Sequence, residues 1–364
     1  MRRRAQIVGF PLAVVAAGLA LTGCGGGGDD TNGKSLEDVL EQVAGLSGQN
    51  RTTKLAALAK GEGARLSFYT TSSIELATEL TDAFEDAYDL DVSLLKSSTV
   101  VERLAEEREA GFHGADVVES NAVDLNNLSD LDALSQYRSP SAADLVPGSV
   151  HEFWAADKLD TLVVAWNTDN VAAGEQPTSY EDLAHPRWKG KLALYIDDSE
   201  WYKTLRDYWV DEGKTTAEAD RLLESIARNG VFVESRSLIR EHLAAGEFDV
   251  ATSIQRHNLQ DMIDDGAPVA YQPAIEPAIT RPDGVAIVER PPHPATALLF
   301  VDWVLSDGQN IISDFGADAA REDLVVEPAV DRVPVDVEDF LTGQDHWQDR
   351  YERLVRLGEK AAPG

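Results

Sequence analysis

From Ala64 onward the chain alternates short apolar runs with amphipathic stretches, and this alternation constrains its fold more than any other feature. Leu66-Ser67-Phe68-Tyr69 reads as a strand, and Thr70 to Ser73 as a polar turn. Ile74 to Tyr88 reads as a helix with Leu76, Leu80, Ala83, Phe84 and Ala87 on one face. Asp91 to Leu95 is a second strand, Val100 to Ala110 a second helix and Ala115 to Val118 a third strand. Strands that alternate with helices imply an α/β protein whose mostly parallel sheet carries its crossovers on both faces.

The alternation continues to the C-terminus. Asp160 followed by Thr161 to Trp166 is a nearly continuous apolar run, suited to a strand buried on both faces. Lys191 to Ile196, Val231 to Val233 and Phe248 to Ser253 read as strands, the last followed by Ile254-Gln255-Arg256-His257-Asn258. Glu200 to Asp211, Thr216 to Asn229 and Ser237 to Ala245 read as helices, with Gly246 ending the third. Gly284 to Val288 reads as buried, and His293 to Leu305 as a long amphipathic helix opened by Pro294. An extended segment over Glu327 to Val337 and a closing helix over His346 to Glu359 complete the chain. Two short helices, Ser35 to Leu46 and Thr53 to Lys60, precede it.

At 364 residues the chain is long enough for two lobes, since single cores stop growing near ~250–300 residues. Its 64 acidic residues against 32 basic ones give a net charge of -32. Such a field repels phosphate backbones and excludes nucleic acid as a partner. The single cysteine, Cys24, excludes an intrachain disulfide and any multi-cysteine metal site. Arg2 to Arg4, the apolar run Ile7 to Leu21 and the small residues after it read as an export signal, too short and too interrupted for a membrane span of ~20 residues. Leu21-Thr22-Gly23-Cys24 resembles the bacterial lipobox. That resemblance implies removal of residues 1–23, lipidation of Cys24, and a mature protein tethered through Gly25 to Asp30 to the outer face of the cell membrane.

In open parallel sheets, ligands bind at the carboxyl ends of strands. Three such ends carry hydroxyl or amide side chains: Thr71, Ser72 and Ser73; Ser98 and Thr99; Ser120 and Asn121. These residues suit helix N-caps, and equally the wall of a binding cleft. An extracytoplasmic hydrolase is the enzymatic alternative, but Gly-x-Ser-x-Gly and His-Glu-x-x-His are both absent, and Asp197-Asp198 and Asp264-Asp265 stand without a nearby nucleophile.

Tyr180-Glu181-Asp182-Leu183 with Pro186-Arg187-Trp188-Lys189-Gly190-Lys191 resembles the "Trp-x-Asp-Leu-x-x-Pro-x-Trp-Lys-Gly-Lys" segment of substrate-binding proteins of ABC importers, in the branch that includes the ferric-iron binders. Tyr180 replaces the first Trp. The stretches beginning at Arg65, Gly114, Val163, Ala245 and Pro292 are similar to the same family in the same order, so the resemblance covers residues 50–355. It implies a type II periplasmic-binding-protein fold with two α/β lobes, a hinge of two crossover segments, and a cleft that closes on a small ligand. The implied divisions are signal peptide 1–23, tether and N-terminal helices 24–62, lobe one 63–160 plus 268–310, lobe two 161–267, and C-terminal helices 311–364.

The implied role is solute capture by a monomer for an ABC permease and ATPase, without catalysis or a resident cofactor. Iron binders of the family use two tyrosines, a His and a carboxylate; these fall on Arg256 and His257, Ser73, and Asn121, so none of the four matches. An arginine there favours a carboxylate or phosphate. The expected ligand is therefore a small organic anion, held by Arg256 and His257 and oriented by the hydroxyl turns, with Fe(III) as the alternative. The loop Asp197-Asp198-Ser199-Glu200-Trp201-Tyr202 adds carboxylates beside aromatics, with Ser199 and Trp201 as further contacts. Those features suit a cationic group, and together with Arg256 a zwitterion.

Overall fold

The computed structural model of the chain describes residues 34–325 and 331–361. The export signal, Cys24 and the glycine tether lie outside them. Helix α1 (Leu36–Val43) opens with a capping box in which Ser35 and Asp38 satisfy each other's backbone N–H groups, and α2 (Gly48–Gly61) follows. Lobe one then builds β1 (Arg65–Thr70), α3 (Ile74–Tyr88), β2 (Asp91–Lys96), α4 (Val100–Glu109), β3 (Val117–Asn121) and α5 (Ala122–Asp130). The long strand β4 (Ala155–Asn167) leads to lobe two: α6 (Tyr180–Leu183), β5 (Leu192–Tyr195), α7 (Ser199–Asp211), α8 (Thr216–Asn229), β6 (Gly230–Val233), α9 (Arg236–Ala244), β7 (Val250–Gln255), α10 (Arg256–Asp264) and β8 (Val269–Ala270). Strand β9 (Ala278–Ile287) returns, followed by α11 (Pro294–Val304), α12 (Gly308–Asp314), β10 (Asp318–Ala319), β11 (Arg332–Pro334), α13 (Val337–Thr342) and α14 (Gln344–Ala361).

One path of strands runs through both lobes in the order β2-β1-β3-β9-β4-β7-β5-β6. Two parallel triplets, β2-β1-β3 and β7-β5-β6, are joined by β9 and β4, which pair antiparallel over Ala155 to Leu162. The hinge is therefore a two-stranded ladder, continuous with the sheet of each lobe. Close approach along it depends on Gly284: a Cβ there would lie 2.5 Å from the Trp154 ring and 2.7 Å from the Ala155 carbonyl.

One sequence expectation needs correction. The His293–Leu305 helix is not amphipathic, because all eleven residues of α11 are buried. It packs between α2 and the lobe-one sheet, where Phe300 meets Phe68 and Phe84 with ring centroids 4.9 Å apart in each pair. A helix enclosed on all sides is apolar on all sides. The segment from Arg256 onward is also helical: α10 starts directly at the end of β7 without a side-chain cap. Among the described residues, no helix is long and apolar enough to cross a membrane.

Candidate functional site

Parallel pairing brings the carboxyl ends of β2, β1 and β3 to one edge of lobe one, and with them the hydroxyl turns. The Thr70 hydroxyl donates to Glu119, and the Ser72 N–H donates to Thr70 Oγ1 at 2.9 Å. Ser73 and Asn121 each accept a backbone N–H at a helix start, from Leu76 at 3.2 Å and Asp124 at 3.0 Å. Ser120 donates to Asp124 at 2.6 Å. Thr71 and Ser72 are half-buried, whereas Ser98 and Thr99 are exposed at the β2 end, where Thr99 pairs with Ser97. The three turns thus share one edge, with the two nearest the hinge tied to carboxylates, one to buried Glu119 and the other to half-buried Asp124.

The hinge ladder carries charge into the space between the lobes. Register places Lys158 opposite Asp283 and Asp160 opposite Arg281, on one face of the ladder. Lys158 Nζ binds Asp283 at 3.0 Å and also Glu119, which anchors it to lobe one. Arg281 reaches Asp160 at 3.1 Å and, across to lobe two, Glu200 at 3.4 Å. A register shift between Ala156 and Lys158 leaves Asp157 as an extra residue in β4, a bulge that re-aims side chains. Burial pushes the Asp157 carboxyl up to about 8 and that of Asp283 up to about 6, against the pull of Lys158. Burial also opposes ionisation of Asp160, but Arg281, His257 and Lys158 together hold it below the usual carboxylate range.

On the lobe-two side, Asp198 precedes α7 and accepts from Arg236 at 2.6 Å. Arg236 is fixed by the Ser253 carbonyl at 2.9 Å and by the Tyr195 ring, whose centroid lies 4.2 Å away. Burial raises Asp198. Ser199, the first residue of α7, is buried beside it.

Other expected contacts lie elsewhere. Arg256 binds Asp318 through Nε at 3.0 Å and Nη2 at 2.7 Å and also donates to the Gly316 carbonyl at 3.1 Å. Its charge is neutralised inside the protein, which corrects its expected role as the anion contact. Trp201 is only 3% exposed and packs in the lobe-two core near Tyr180 and Leu205, so it is a core side chain. His257 does approach the hinge: burial and Arg256 lower its pKa, Asp160 opposes them, and its Nδ1 has no hydrogen-bond partner. Tyr69, Tyr195 and Tyr202 point to different neighbours, Glu107, Arg236 and Arg350 respectively. Among the described residues no group of three or more His, Cys, Asp or Glu could hold a metal ion.

Lys158, Asp160, Arg281, Asp283 and Arg236 were missed by sequence reasoning. Their signal was present as charges inside or beside apolar runs, but the facing partners of the ladder charges lie more than a hundred residues away, 121 for Arg281 and Asp160.

The chain's resemblance extends to whole proteins. A model of the bacterial extracellular solute-binding protein family matches residues 79–313. Comparison with curated protein sequences gives no match. Iron-bound HitA from Pseudomonas aeruginosa is similar in structure, with a TM-score of 0.63 at 17% identity over 82% of this chain and 100% of its own. AfuA from Actinobacillus pleuropneumoniae, with fructose-6-phosphate bound, gives 0.61 at 20% identity over 81% and 97%. MotA from A. tumefaciens B6, in complex with glucopine, gives 0.62 at 20% over 80% and 99%. A family match across most of the chain, on a fold of two α/β lobes facing a charged hinge, shows that the chain belongs to the bacterial extracellular solute-binding proteins, extracytoplasmic binding proteins rather than enzymes that supply small molecules to ABC importers.

Proposed function

We propose that this chain is a monomeric lipoprotein, anchored through Cys24 to the outer face of the cell membrane, that captures a small zwitterionic solute between its lobes and hands it to an ABC permease. One observation carries the reading: Lys158 of the ladder binds Glu119, which accepts from Thr70 at a hydroxyl turn of lobe one, and Arg281 of the same ladder binds Glu200 at the start of α7 in lobe two. A solute bridging them favours the closed arrangement by differential affinity, the property a permease can recognise. Structural relatives with iron, a sugar phosphate and glucopine show how varied the cargo of this fold is. Internal neutralisation of Arg256 removes the main support for a purely anionic solute, while the hydroxyl turns and α7 carboxylates leave partners for both ends of a zwitterion.

The reading is tested by thermal unfolding of the full chain in mild detergent against amino acids, sugar phosphates, dicarboxylates and ferric citrate. A native-state ligand at a hundredfold excess over its Kd adds about 2.7 kcal/mol, enough to stand out. Stabilisation by ferric citrate alone overturns the zwitterion. Labelling with radioactive palmitate in a bacterial host that loses its label in Cys24→Ala supports the anchor, and retained label overturns it.

A further inference from the structure

Five carboxylates, Glu119, Asp160, Asp198, Glu200 and Asp283, surround the ladder with three cations, Lys158, Arg236 and Arg281. Each cation is already engaged. Lys158 is held between Glu119 and Asp283, Arg281 between Asp160 and Glu200, and Arg236 is stacked on Tyr195 while binding Asp198. The carboxylates are not used up. Asp198 Oδ2, Glu200 Oε1 and Asp283 Oδ1 are buried without a hydrogen-bond partner, and Asp198 is 4% exposed as a whole residue.

Ionised carboxylate oxygens only accept, and Arg281 Nε is the one buried donor of these side chains without a partner, so the leftover acceptors on Asp198, Glu200 and Asp283 outnumber the leftover donors. Water can supply donors but not the missing positive charge, and burial makes an uncompensated charge costly. Contrast Asp302, a buried carboxylate in the lobe-one core, which receives Arg51, Tyr137 and Ser139. Resting on the solute-binding reading above, we propose that the cleft holds an ammonium or guanidinium end of its solute between Asp198 and Glu200 of lobe two and Asp283 of the hinge. The three sit around Arg281, which feels the charges of all of them, so a second cation would share carboxylates that Arg281 alone leaves underused. Discrimination then comes from charge: a neutral analogue of the same shape leaves the carboxylates unpaired.

The test uses the full chain in mild detergent and matched probes: butylguanidinium and 1,4-diaminobutane against butylurea and 1,4-butanediol, which keep the size and lose the charge. The cationic member of at least one pair should raise Tm while its neutral partner does not. Its binding, measured by calorimetry, should weaken at least about tenfold in Asp198→Asn and in Glu200→Gln. Each variant's unfolding without probe shows that it is folded, and Lys60→Ala, far from the cleft, should bind as the parent does. Equal stabilisation by the neutral partners, binding that survives both substitutions, or no response to either cation at about 10 mM overturns the subsite. If sugar phosphates or dicarboxylates alone stabilise the chain, the cation subsite and the zwitterionic solute fall together while the capture role stands; if no compound of any class does, the capture reading falls with them.

Discussion

Two deeply buried regions of this protein handle charge in opposite ways. Around α11 in lobe one, the carboxylate of Asp302 accepts from Arg51 at 2.8 Å, Ser139 at 2.6 Å and Tyr137, within a shell of aromatic and aliphatic side chains. Along the β4–β9 ladder, buried carboxylates outnumber cations and keep unpartnered oxygens. A buried polar network that is fully satisfied specifies structure, whereas one left incomplete is destabilising unless something completes it. The difference separates a charge network that is complete within the fold from one that keeps unpartnered oxygens.

The comparison breaks first at Asp302. Asp302→Ala leaves Arg51 buried without its carboxylate and should cost about 3–5 kcal/mol, read as a large drop in the urea midpoint. A change below about 1 kcal/mol would erase the contrast. The next test is pH. The folded pKa of Asp157 lies above its unfolded value, so its contribution to stability is fully present below about pH 4 and is lost as pH rises towards about 8. Across that window Asp157 makes stability fall by up to about 1.4 kcal/mol per pH unit, and Asp157→Asn should remove this slope from the difference between parent and variant unfolding curves.

A smaller effect, opposite in sign to that at Asp302, is expected on the ladder itself. Glu200→Gln removes an underused charge while Arg281 retains Asp160, so the empty protein should be unchanged or stabilised by up to ~1 kcal/mol. Destabilisation like that of Asp302→Ala would mean that the two regions are alike. Smallest of all is the exposed pair Lys60–Asp89 at 3.4 Å, where Lys60→Ala should shift stability by no more than a few tenths of ~1 kcal/mol in the same denaturation series.

The legible part of the sequence was the part governed by local physics. The helix Ile74–Tyr88 and the helix Thr216–Asn229 match their expected bounds because an apolar face and an N-cap lie within the segment itself. The hydroxyl turns were visible for the same reason, since Ser73 and Asn121 are local caps. The ladder was not. In β9, Arg281-Pro282-Asp283-Gly284 has the composition of a turn, and in β4 the charges Asp157, Lys158 and Asp160 end the apolar run early. Only the pairing of the two strands, with Lys158 facing Asp283 and Asp160 facing Arg281, makes those residues compatible with buried sheet. Arg256 failed in the other direction: its position suggested a ligand contact, and its partner Asp318 lies 62 residues further along the chain.

The ladder also determines what the surrounding medium can do to the protein. Lys158 and Arg281 ride on the strands that join the lobes, whereas Glu119 belongs to one lobe and Glu200 to the other. Any rotation that parts the lobes pulls those ion pairs open and admits water and salt between them. Contacts of 3.0 to 3.4 Å lie well inside the ~8 Å screening length of physiological salt, so dissolved ions weaken them far less while they are closed off than once they are separated and wetted. If the lobes part, a rise in ionic strength favours the parted arrangement, because only then are these pairs exposed to screening.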